Sequence, residues 1–164
     1  MLNLQWLQNN ALVSGYDYTT GQWIYDQINY GILYPASVTP GQQLILKSSA
    51  ANELGQTLQN VQLYLDGSPD ELEEIQFSWP LKGGGLQISF DGGVTYNTFS
   101  SIYGNKTDNT TWPILPAEAI GADATNGVLR SIDSASLLFR YVVPANCQLF
   151  EIFTLSIQIS CDVI

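Results

Sequence analysis

Leu86–Phe99, LQISFDGGVTYNTF, is the stretch whose reading decides the fold. Leu86, Ile88 and Phe90 alternate with Gln87 and Ser89, the period of a strand with one buried face. Asp91-Gly92-Gly93 then supplies residues that accept positive φ, and Val94-Thr95-Tyr96 resumes a β-favouring run. The pattern predicts a tight β-hairpin. Outward from it the same logic finds more strands. Val61, Leu63 and Leu65 alternate with Gln62, Tyr64 and Asp66, and Leu44-Ile45-Leu46 follows the turn Thr39-Pro40-Gly41. Ser136 to Val143 is a mostly apolar run stopped by Pro144. Near the end, Phe153, Leu155, Ile157, Ile159 and Cys161 face one way and Thr154, Ser156, Gln158 and Ser160 the other. Phe150 and Ile152 sit on the opposite parity, which predicts a β-bulge between Ile152 and Phe153.

These elements predict an all-β chain. The succession VTPGQQLILKSS, a loop, then LQNVQLYLDG resembles the second and third strands of immunoglobulin-like domains. That resemblance implies an antiparallel β-sandwich over residues 35–164, although the Cys–Trp–Cys framework of antibody domains is missing. The hairpin letters resemble the Asp-box of sialidases and related β-proteins. Ser89, Asp91, Gly93 and Thr95 match, with Tyr96 where that motif prefers Trp. In that family the motif holds a hairpin turn together and lies away from the active site, so the implied role is structural. Sialidases themselves resemble propellers with several boxes and an arginine cluster, whereas this chain has one box and two arginines.

One helix is expected, over Asp66–Phe77. Ser68 reads as its N-cap, Pro69 as its first residue, and Glu71 completes a capping box. A calcium loop on Asp66, Ser68 and Asp70 fails, because Glu71 stands where the loop needs Gly and Phe77 where it needs Glu. Ile75–Trp79 reads as a further strand ended by Pro80. Residues 1–34 hold seven Trp and Tyr residues without a sustained period. They are read as an N-terminal arm or as edge strands, with Gln22–Tyr25 the best strand candidate. Aromatic side chains suit an arm laid on another subunit, since they give large amphipathic contacts at low entropic cost. The interface candidates are Trp6, Tyr16, Tyr18, Trp23, Tyr25, Tyr30 and, from the long loop Ser100–Asn126, Trp112.

Composition removes whole classes of function. The net charge of -10, with only Lys47, Lys82, Lys106, Arg130 and Arg140 as cations, argues against nucleic acid as a partner. No run of 18 apolar residues suggests a membrane span. The N-terminus lacks the basic and apolar regions of a secretory signal, so folding in a cytoplasm is expected. With no His, the commonest general base, metal ligand and triad member is missing. Two cysteines alone cannot make the usual zinc sites, and no cofactor or metal is expected. Glycosidase chemistry needs two carboxylates across a cleft, and no spacing singles out a pair among Asp91, Asp108, Glu118, Asp123 and Asp133. No catalytic residue is assigned.

Charged residues are 12% of the chain, about half the usual ~25%. Gln, Asn, Ser and Thr number 13, 11, 14 and 11, so the surface is polar but uncharged. The whole resembles structural proteins of tailed-bacteriophage particles in its acidic, Gln/Asn/Ser/Thr-rich sandwich and its SFDGGVTY turn. That resemblance implies a capsid decoration (cement) protein, or a tail or baseplate component, located in the virion. It would form homo-oligomers and bind other virion proteins. The alternative is a carbohydrate-binding module or adhesin-type sandwich, with Trp79, Tyr96, Tyr103 and Trp112 as stacking candidates.

Overall fold

Strand β8 (Ser134–Val142) holds the centre of the molecule because every second side chain along it is apolar. Ala135, Leu137, Phe139 and Tyr141 are buried, while Ser134 and Ser136 point away. Strand β4 (Gln42–Lys47) pairs with it on one side, setting Leu44 opposite Leu137 and Leu46 opposite Ala135. Strand β6 (Gly85–Ser89) pairs on the other, setting Ile88 opposite Phe139 and Leu86 opposite Tyr141. Directly opposed residues of an antiparallel pair share a face, so three strands turn one apolar face the same way. This is a computed structural model, and it describes residues 3–24, 30, 32–48, 57–99, 114–147 and 155–163.

The sheet extends to seven strands in the order β3-β2-β1-β4-β8-β6-β7. Strands β5 (Leu58–Asp66) and β9 (Ser156–Val163) form a second, antiparallel pair. Leu58, Val61, Leu63 and Leu65 of β5 are fully buried and join Leu44, Leu46, Ile88 and Leu137 in one core. The fold is therefore an all-β, antiparallel β-sandwich with one short helix. Among the described residues the strands divide seven and two between the sheets.

The N-terminal segment is not a free arm. Strands β1 (Asn3–Gln8), β2 (Ala11–Asp17) and β3 (Gln22–Ile24) form a meander, and β1 lies inside the sheet between β2 and β4. Its register on β4 puts Leu4 opposite Leu46 and Trp6 opposite Leu44, so both side chains extend the core. The β1–β2 turn is Asn9-Asn10, with φ of 52° and 64°, the two-residue loop with positive φ that suits strand twist. Asparagine tolerates that conformation better than most residues. The predicted edge strand is β3, the last strand of this side.

The helix begins as expected: Ser68 Oγ accepts the Glu71 N–H at 3.3 Å, and Pro69 occupies the first turn. It does not give way to a strand at Ile75. A π-helical turn, Glu74–Ser78, carries it on into Trp79–Leu81. The buried residues Ile75, Gln76 and Trp79, with half-buried Leu72, follow the helical spacing, whereas Phe77 is 47% exposed. A strand would have buried Phe77 with its two neighbours of the same parity. The wider turn, in which the Trp79 N–H reaches the Glu74 carbonyl, comes just before Pro80, which has no N–H to give.

The half of the long loop that is described closes the outer edge of β5. Leu58 and Leu129 exchange N–H···O bonds at 2.9 Å, the Val61 N–H donates to Gly127 O at 3.0 Å, and the Leu115 N–H to Val61 O at 2.7 Å. A bulge at Asn60 (φ 51°) accommodates this segment. The other half of the loop and the bulge predicted at Ile152–Phe153 fall outside the described residues.

Two outcomes test this architecture. Trp79→Ala is expected to cost about 3–5 kcal/mol in chemical denaturation, and Phe77→Ala far less. Equal costs would restore the strand. A chain beginning at Tyr34 would lack β1–β3, leaving β4 as a bare edge beside uncovered Leu44 and Leu46. It is expected to lose its cooperative thermal transition; an unchanged transition would return the segment to the status of an arm.

Candidate functional site

Strand β6 and the short strand β7 (Asn97–Thr98) pair with Gln87 opposite Thr98 and Ile88 opposite Asn97. Between them lies a seven-residue loop, Phe90–Tyr96, so the hairpin is broader than a two-residue turn. Side chains replace strand pairing inside it. Ser89 Oγ donates to Asp91 Oδ1 at 2.8 Å and accepts the Gly93 N–H at 2.9 Å. The Asp91 carboxylate accepts the Thr95 N–H, at 2.8 Å to Oδ1, and also the Thr95 hydroxyl. Gly92 and Gly93 carry φ of 74° and 93°, the left-handed region that favours glycine.

The hydrogen bonds from Thr95, then that from Ser89, hold the Asp91 carboxyl at a pKa of about 2. Tyr96 leaves the loop and lies flat beneath Arg140, whose guanidinium carbon is 3.7 Å from the ring centroid. The Arg140 Nε–H donates to Gln87 Oε1 at 2.9 Å. A Cβ added at Gly41 would sit 2.7 Å from the Tyr96 hydroxyl, so glycine there makes room for the ring. Ser89, Asp91, Gly93, Thr95 and Tyr96 thus act together, each engaged in closing the loop onto the outer face of the large sheet.

The aromatic interface candidates separate into two groups. Trp6 packs against Phe139, ring centroids 5.3 Å apart, and Tyr30 meets Tyr141 edge to face at 4.9 Å. The Tyr30 hydroxyl also donates to the Phe139 carbonyl at 3.2 Å, so these two side chains serve the core. Tyr16, Tyr18 and Trp23 gather at the β2–β3 end of the sheet. Tyr16 meets Tyr18 at 5.0 Å and Trp23 at 5.6 Å, both edge to face, and Lys47 Nζ stands 5.0 Å over the Tyr18 ring. Tyr25 and Trp112 lie outside the described residues.

Asp133 forms a two-pronged ion pair with Arg130 at 2.9 Å and accepts its backbone N–H at 2.8 Å. Glu118 and Asp123 are exposed, and Asp108 falls outside the described residues. Cys147 and Cys161 are free thiols, and burial pushes both pKa values up, away from the reactive thiolate. Among the described residues no group of three or more Cys, Asp or Glu could hold a metal ion, and no helix is long and apolar enough to cross a membrane. No family model matches the chain, and no curated protein or solved structure matches it either.

Asp91→Ala, which leaves the Thr95 donors and the Ser89 hydroxyl without their acceptor, is expected to lower Tm by a few degrees. The sign of the pH effect follows from the lowered pKa. The carboxylate stabilises the folded state above its ordinary value of 3.8, and that contribution is lost as pH falls through about 2. The Tm difference between wild type and Asp91→Ala should therefore shrink in acid, and a difference that stays constant would remove this role.

Proposed function

We propose that the chain is a non-enzymatic structural protein of a virus particle, as a capsid decoration (cement) or tail component of a tailed bacteriophage. The observation that carries the reading is the aromatic group at the β3 end of the large sheet. Tyr16, Tyr18 and Trp23 stand outside the main core beside Ile24, which is 39% exposed, on the three-residue edge strand β3. Tyr and Trp placed this way offer large, stiff contact area to a neighbouring subunit. A polar surface with few charges adds wet, individually weak contacts, which the symmetry of a particle multiplies into firm attachment.

The glycan-binding reading named four stacking candidates. Of these, Trp79 is buried in the core, and Arg140 covers one face of Tyr96. Tyr103 and Trp112 lie outside the described residues.

Cryo-microscopy of particles carrying the chain is expected to find it at a subunit boundary with the Tyr16–Trp23 edge against a neighbour. Tyr16→Ala with Trp23→Ala should abolish co-sedimentation with those particles while leaving a cooperative melt. A chain absent from purified particles, or one that binds a defined glycan at millimolar or better affinity, would overturn the proposal.

A further inference from the structure

Among the described residues, strand β9 is paired on one side only. β5 takes one edge of Ser156–Val163, and among the described residues the other edge has no partner. An open row of N–H and C=O groups is a template for another strand, and sheets commonly protect such edges with Lys, Pro, a bulge or a very short strand. The β7 end of the large sheet follows that rule, at two residues. β9 does not: it runs eight residues with neither Lys nor Pro. Leu155, Ile157, Ile159 and Cys161 on its inner side are half-buried and pack against the core.

The sequence of the edge suits one occupant in particular. Leu155–Cys161 reads LSIQISC, nearly the same in both directions about Gln158. Two copies paired antiparallel on a two-fold axis through Gln158 would set Ile157 opposite Ile159, Ser156 opposite Ser160, and the Gln158 amides opposite each other. Apolar side chains would then meet on the inner face and uncharged polar ones on the outer. Charge points the same way. Each chain carries -10, so close approach of two copies is repulsive almost anywhere. Leu155–Cys161 bears no charge, and the next carboxylate, Asp162, lies beyond it and accepts a hydrogen bond from Asn60 Nδ2 at 2.8 Å.

We propose that β9 is a homodimerisation edge, at which two copies of this chain join their two-stranded sheets into one continuous four-stranded sheet. Self-complementarity about a two-fold axis is what an isologous contact requires. The inference names a partner for the structural subunit proposed above. Its test needs no particle, so either can fail alone.

The test is a charge exchange across the axis, read by light scattering and sedimentation of the purified chain. Wild type is expected at twice the 18.0 kDa chain mass. Ser156→Lys with Ser160→Lys places like charges opposite at both exposed positions and is expected to give monomer with its β-rich circular dichroism retained. Ser156→Lys with Ser160→Glu places opposite charges there and is expected to restore the dimer. A monomeric wild type, or a dimer indifferent to both pairs of substitutions, overturns the proposal. Should either variant fail to fold, Gln158→Cys decides. Directly opposed Cα atoms lie about 4.5–5.5 Å apart, within disulfide reach, so mild oxidation is expected to link two copies of this variant. Wild type should not link, because its Cys161 falls opposite Leu155. Failure of Gln158→Cys to link overturns the register and with it the proposal.

Discussion

The packing of Phe139 is the contact on which the rest of the molecule depends. Its ring, 2% exposed, meets Trp6 of β1 on one side and Phe99, just past β7, on the other, with centroids at 5.3 and 6.2 Å. Its carbonyl accepts the Tyr30 hydroxyl, and its backbone faces Gln42 of β4 and Ile88 of β6. Three stretches far apart in sequence, the N-terminal meander, the hairpin and β8, are thus tied at one residue. Burying an aromatic of this size removes a large apolar area from water, and the tilted ring contacts add to it.

A sheet organised this way leaves its ends to be dealt with. One end tapers through β3, where Tyr16, Tyr18 and Trp23 shield each other. The opposite end is held by the Ser89–Tyr96 loop, in which hydroxyls and a carboxylate do locally what backbone pairing does elsewhere. The second sheet is closed on the β5 side by Ile114–Leu129 and, among the described residues, has no strand beyond β9.

Legibility in sequence followed the range of the interaction involved. Strands β5, β6 and β9 were readable because burial on one face writes a period of two into the chain, and β4 and β8 because short apolar runs are bounded by a turn or a proline. The helix start was readable because the Ser68 cap acts three residues away. Its continuation was not: Ile75, Phe77 and Trp79 satisfy a strand period and Leu72, Ile75, Gln76 and Trp79 a helical one. Only the core that receives Ile75 and Trp79, and leaves Phe77 outside, separates the two. At the N-terminus the crowd of aromatics hid a simpler signal. Asn9-Asn10 between Leu4-Gln5-Trp6 and Ala11–Tyr16 is a hairpin turn, the one local feature that would have placed β1 and β2 inside the sheet.

By itself the sequence determined the fold class, the turn held by Asp91, the cap at Ser68 and the spare, uncharged polarity of the surface. Each of these rests on residues within a few positions of one another or on bulk composition. Tertiary structure alone decided which sheet each strand joins, that β1 is interior, that Trp6 and Tyr30 serve the core, and that Tyr16, Tyr18 and Trp23 form one edge. It also decided that, among the described residues, β9 pairs with β5 alone. Strand alternation states which face a residue turns inward, but it does not say which neighbour lies across the hydrogen bonds. That choice is made by packing around Phe139, between residues more than a hundred positions apart.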